Sequence, residues 1–114
     1  MSTPMVSSVQ EYFATLGDRF VQSAAAGVDA IFQFEISGDG GGAWHVIVSD
    51  GSMAVHDGTH AEPSATVTAK AADYVKIANG DMNGLRAVMT RKMKIGGNLV
   101  IARKMQQMFP TGNI

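Results

Sequence analysis

Between Ala30 and Ala69 the chain alternates apolar and polar residues in four successive runs, and the first three end at glycine-bearing turns. Ala30, Phe32, Phe34 and Ile36 alternate with Ile31, Gln33, Glu35 and Ser37, and Trp44, Val46 and Val48 alternate with His45, Ile47 and Ser49. A period of two sends neighbouring side chains to opposite faces of a strand, so both phenylalanines share one face. Gly38-Asp-Gly-Gly-Gly42 separates these runs, and Asp50-Gly51 is a strong hairpin signal leading into a third strand with Met53 and Val55. After Asp57-Gly58, Ala65-Thr-Val-Thr-Ala69 forms a fourth strand whose threonines face one way. The middle of the chain therefore reads as an antiparallel meander.

Helical spacing flanks it. Val9, Tyr12, Phe13, Leu16, Phe20 and Ala24 recur at intervals of three and four, with Ser8 and Glu11 as a capping box and Gly27 as the stop. Ala71 to Ala78 reads as a short helix with Tyr74, Ile77 and Ala78 inward, stopped at Asn79-Gly80; Asn83 caps another carrying Leu85, Val88 and Met89. Lys92-Met-Lys-Ile95 alternates as a fifth strand that sends Met93 and Ile95 inward, and Gly96-Gly97 breaks it. Asn98 caps a last helix on which Ile101, Met105 and Met108 form a stripe widened by Ala102 and Phe109, and Pro110 stops it. The fold class is α+β, one helix-covered sheet in a single domain of 114 residues.

With 46% hydrophobic and 17% charged residues the chain is globular rather than disordered. It contains no cysteine, which removes disulfides, a thiol nucleophile and thiolate metal sites. The start lacks a signal-peptide pattern and no apolar run nears about 18 residues, so the expected location is the cytoplasm. Charge is uneven: residues 1–85 hold three bases against all ten acids, a net −7, whereas 86–114 hold six bases and no acid. Five of the eight methionines also lie from Met82 onward, and unbranched thioethers fill adaptable apolar space. A soft apolar surface rimmed by cations suits a greasy ligand and transient contact with an anionic bilayer; the plainer reading is ordinary core beneath a solvated basic face.

Other chemistries find little support. His56 and His60 are four apart, a metal-binding spacing only on a helix face, and a turn lies between them. His45 reads as a solvent-facing or satisfied strand histidine. No Gly-x-Ser-x-Gly elbow occurs, and the glycine run at 38–42 neither opens a helix nor precedes a lysine. Most of the eight aromatics fall at inward positions, which argues against nucleic acid. Neither a cofactor nor a metal is called for.

Three segments resemble the sterol carrier protein 2 family of lipid-binding domains: Trp44 followed by Asp50-Gly51, Asp73-Tyr-Val-Lys-Ile-Ala-Asn-Gly80, and Val88-Met-Thr-Arg-Lys-Met-Lys-Ile-Gly-Gly-Asn-Leu99. The likeness runs from about Val9 to Phe109. Departures include Val88 where phenylalanine is frequent, Arg91 where glycine is common, and Glu62-Pro-Ser-Ala65 without the usual aspartate. The resemblance implies a five-stranded antiparallel sheet with helices over one face and an apolar tunnel between them. It implies non-catalytic binding and transfer or presentation of a sterol, fatty acid or acyl-CoA. The sheet wall would be Phe32, Phe34, Trp44 and Val46, and the mobile wall Met82, Leu85, Met89, Met93, Ile101, Met105, Met108 and Phe109. Arg86, Arg91 and Arg103 would meet a carboxylate or phosphate at the mouth. The alternatives are an interaction or dimerisation module with a closed core, homodimer included, and, less favoured, an acyl-group enzyme.

Overall fold

In the computed structural model, which describes residues 6–82 and 84–108, the sheet forms where the alternation requires it. The strands are β1 (Asp29–Ser37), β2 (Gly42–Ser49), β3 (Ser52–Asp57), β4 (Ala65–Lys70) and β5 (Met93–Gly97), in spatial order β3-β2-β1-β4-β5. Register places Phe34 opposite Trp44 and Val67, and Phe32 opposite Val46 and Ala65. One face is therefore continuously apolar. The β2–β3 hairpin turns on Asp50 and Gly51 at φ 45° and 84°, the left-handed pair such a turn demands.

One pairing departs from the meander. β4 runs parallel to β1, so the sheet is mixed and mostly antiparallel. Residues 58–64 cross the sheet from β3 to β4 without a helix, on the face that carries Gln33. There Gln33 is buried and engages the crossover twice, its Nε2 donating to Gly58 O (3.3 Å) and its Oε1 accepting from the His60 N–H (2.8 Å), while Nε2 also donates to Trp44 O of β2 (3.1 Å). The Ser64 N–H donates to Ile31 O at 2.7 Å, and the Ile31 N–H donates to Ser64 Oγ at 3.0 Å. A burial pattern shows which side chains face inward, not which strand lies beside which.

The helices cover the apolar face. They are α1 (Val9–Ala14), α2 (Ala71–Ala78), α3 (Gly84–Met89) and α4 (Leu99–Met108). The apolar spacing from Val9 to Ala24 is split between α1 and two 3-10 turns, Leu16–Arg19 and Gln22–Ala25, instead of one long helix. An i, i+3 stripe suits both geometries, and Val21 is extended because its N–H donates to Met108 O at 2.7 Å. At the start of α1, Ser8 Oγ accepts from the Glu11 N–H, while Glu11 Oε1 accepts from the N–H of Ser7, one residue earlier than a standard box. Asn98 Oδ1 accepts from the N–H groups of Val100 and Ile101. The expected capping residue Asn83 lies outside the described residues.

Gly96 and Gly97 do not break β5 but complete it, opposite Thr66 and Ala65. Gly97 has φ 82°, and a Cβ there would lie 2.7 Å from Ser64 O. Buried Asn79 ties the start of the described chain to the end of α2, donating to Val6 O and accepting from the Val6 N–H, both at 2.7 Å.

Candidate functional site

Phe32, Phe34 and Val46 are at most 1% exposed and form the floor of the apolar face. Trp44 lies beside them only half-buried. Phe13 of α1 joins the two: its ring stacks on Trp44 at 4.7 Å and meets Phe34 nearly edge-on at 5.0 Å. Tyr74 of α2 continues the cluster, 6.0 Å from Phe34, with its hydroxyl donating to Tyr12 Oη at 3.3 Å. Each such aromatic pair adds roughly 0.5–1.5 kcal/mol beyond the area it buries.

Where α1 meets β2 and β3, an open groove of about 520 Å³ runs along Phe13, Ala14, Trp44 and Val55, with Gln10 and Asp57 at its polar rim. That volume falls within the roughly 300–1,000 Å³ usual for small-molecule sites. Gly42 makes room for the indole, since a Cβ there would approach Trp44 Cη2 to 3.1 Å. Sequence spacing pointed Phe13 inward but carried no signal of which strand it would meet. Val55 was likewise visible only as a strand residue.

The helical wall is unevenly placed. Met93 and Met108 are buried, and Met82, Ile101 and Met105 are half-buried against the core. Met89, expected in that wall, is instead 75% exposed. α3 is six residues long and turns Ala87 to the core at 0% exposure, which sends a residue two positions further to the opposite side. Phe109 and the Leu85 side chain lie outside the described residues. Arg86 and Arg103 are exposed on α3 and α4, whereas Arg91 lines a different groove, with Lys70, Lys92 and Lys94.

The turn at Asp57-Gly58 does not separate the histidines. The crossover returns His60 to within 5.3 Å of His45, and His56 faces His45 across β2 and β3 at 5.2 Å between ring centroids. His45 Nδ1 lies 3.0 Å from Gly58 O, and His60 Nδ1 accepts from the Glu62 N–H, which puts the proton of the neutral ring on Nε2. Among the described residues no group of His, Cys, Asp and Glu is placed to hold a metal ion, and no helix is long and apolar enough to cross a membrane.

Residues 13–110 match the model of the SCP-2 sterol transfer family. Hydroxysteroid dehydrogenase-like protein 2 of Mus musculus is 29% identical over 111 residues, covering 96% of this chain and 23% of that protein. Sterol carrier protein 2 of Homo sapiens is 30% identical over 95 residues, covering 81% of this chain and 17% of that protein. The chain thus spans less than a quarter of the length of these two relatives. The solution structure of palmitated SCP2L2 from Aedes aegypti superposes with a TM-score of 0.73 at 22% identity, over 95% of this chain and 99% of that one.

Proposed function

The chain belongs to the SCP-2 sterol transfer family, and from that premise we propose that it binds a long-chain lipid reversibly on the apolar sheet face and releases it unchanged. We take residues 9–109 as one lipid-binding unit. The observation that carries this reading is the open groove lined by Phe13, Trp44 and Val55, whose Phe13 ring packs against the buried Phe34. The Aedes aegypti neighbour, whose structure is that of a palmitated protein, supports a fatty acyl chain as the ligand class. The chain would slide beneath α1 and displace Met82, Ile101, Met105 and Met108 from the sheet, a rearrangement thioethers tolerate well.

Magnitudes are adequate. About fourteen buried methylenes supply roughly 11 kcal/mol, and an association cost of at least about 4 leaves roughly 7, or binding near ten micromolar. Delivery would follow by partitioning with a membrane. Among the described side chains, α3 presents exposed Met89 (75%) and α4 exposed Val100 (66%), with a cation one turn away: Arg86 on α3, Arg103 and Lys104 on α4. That pairing suits transient contact with an anionic bilayer, and Arg86 or Arg103 would then also reach a headgroup. No chemical step is needed for this role in the cytoplasm.

Titration with a fluorescent long-chain fatty acid tests it. Trp44, the sole tryptophan, reports on the groove directly. Saturable binding that changes Trp44 emission, and that Met105→Arg weakens, supports the carrier. A cooperatively melting protein with neither response would favour the closed-core module instead, and turnover of an acyl-CoA would favour the enzyme.

A further inference from the structure

α2 and α3 end in the same hydrogen-bonded motif, in which the residue after the cap takes left-handed backbone. At the end of α2, the Gly80 N–H donates to Ile77 O and the Asp81 N–H donates to Lys76 O, with Gly80 at φ 81°. At the end of α3, the Arg91 N–H donates to Val88 O and the Lys92 N–H donates to Ala87 O, with Arg91 at φ 63°. Glycine adopts that backbone freely, and a residue with a Cβ does not. One chain has met the same requirement once with glycine and once, under strain, with arginine. Strain held in place in this way points to a task for the side chain.

The surroundings of Arg91 define the task. It lines a groove of about 580 Å³ with Lys70, Lys92 and Lys94, and Asp73 is the sole carboxylate in that lining. Ser37 pairs with Lys70 and Thr68 with Lys94, so strand alternation places two hydroxyls and two ammonium groups on the face away from the helices. Glu35 stands opposite Thr68 in the register but does not line the groove. Four cations against one acid leave a surplus of three positive charges on a chain whose net charge is −1. Lys70 is also the N-cap of α2 and makes no side-chain cap bond, so the first-turn N–H groups there lack that acceptor.

We infer that this groove is an anion site for a ligand bearing phosphate groups, separate from the apolar face, with Arg91 as its main contact. The guanidinium fork, hydroxyl donors and ammonium groups match phosphate oxygens in geometry and charge. The surplus of three charges and the groove's volume suit two linked phosphates better than one. This inference does not depend on the lipid reading.

Inorganic pyrophosphate is the probe, titrated calorimetrically into the full chain at low ionic strength. Saturable one-site binding is expected. Arg91→Gly weakens it about tenfold or more, the loss of one charge-assisted contact, while melting at the same temperature as the parent or higher. Asp73→Asn tightens it, and Lys76→Gln, an exposed cation of α2 outside the groove, leaves it unchanged. No saturable binding, or equal weakening by Arg91→Gly and Lys76→Gln, overturns the site. Anionic phospholipid vesicles then separate the sources. Vesicle binding that Arg91→Gly abolishes assigns the phosphate to a bilayer headgroup, and vesicle binding it spares assigns a soluble ligand.

Discussion

Replacing Gln33 by leucine keeps the side-chain volume and removes every bond that this residue makes to the crossover. The His60 N–H loses its acceptor, Trp44 O loses one donor, and Gly58 O keeps only His45 Nδ1. Each buried hydrogen bond contributes about 1 kcal/mol net, and an orphaned donor costs about 1–3 kcal/mol. Leucine returns part of this through apolar burial, so the net loss is about 2.5 kcal/mol. For a chain of this size about 4 °C accompanies each kcal/mol, which places the fall in Tm near 10 °C. Far-UV circular dichroism follows the melt, and amide exchange at His60 reports the local release. A Tm within about 3 °C of the parent would refute the reasoning. The backbone bonds from the Gly58 N–H to Ala43 O and from the Ser64 N–H to Ile31 O would then suffice to hold the crossover.

Adjacent glycines separate two mechanisms. Gly97→Ala forces a Cβ against Ser64 O in a left-handed conformation and is expected to cost about 2 kcal/mol or more, whereas Gly96→Ala meets nothing within 4 Å and stays within about 0.5 kcal/mol in denaturant titrations. Arg91→Gly relieves its left-handed backbone and raises stability by about 1 kcal/mol, or Tm by about 4 °C in differential scanning calorimetry; Gly80→Ala, at the same motif position in α2, lowers it by a similar amount.

The strands were legible because a period of two has no other reading. Ala71–Ala78 matched its expected bounds because the β4 alternation runs out at Ala69 and Asn79-Gly80 stops the helix. The parallel placement of β4 was not legible, since it depends on seven residues crossing a face on which Gln33 looks like any outward polar residue. The same limit applied to the site. Phe32, Phe34 and Val46 were identifiable from alternation alone, but the stacking of Phe13 on Trp44 is set by how α1 lies on the sheet. Met89 shared its spacing with Leu85 and Val88, and only the burial of Ala87 reveals which side of α3 faces inward.

The two layers differ in their resistance to opening, and this bears on how a ligand gains access. β1 is paired on both sides, over eight residues with β2 and six with β4. The covering layer is fragmentary: α1 and α3 have six residues each and the two 3-10 turns four. Helices shorter than about 12–15 residues are marginal alone, so this layer rests on its packing and caps. Opening should therefore begin at α1, whose lift uncovers Trp44 and Phe34 while the sheet stays intact. Native-state hydrogen exchange tests this, comparing Tyr12 and Thr15, which donate to Ser8 O and Glu11 O, with the paired amides of β1. Ser8→Ala removes the cap on the Glu11 N–H, costs about 1 kcal/mol, and should speed exchange in α1 about fivefold while leaving β1 unaffected. A bound fatty acid should slow the same α1 amides. Equal exchange rates in α1 and β1, shifted together by Ser8→Ala, would mean that the core opens only by global unfolding. A lid at α1 would then be refuted, and the closed-core module would become the better account of the fold.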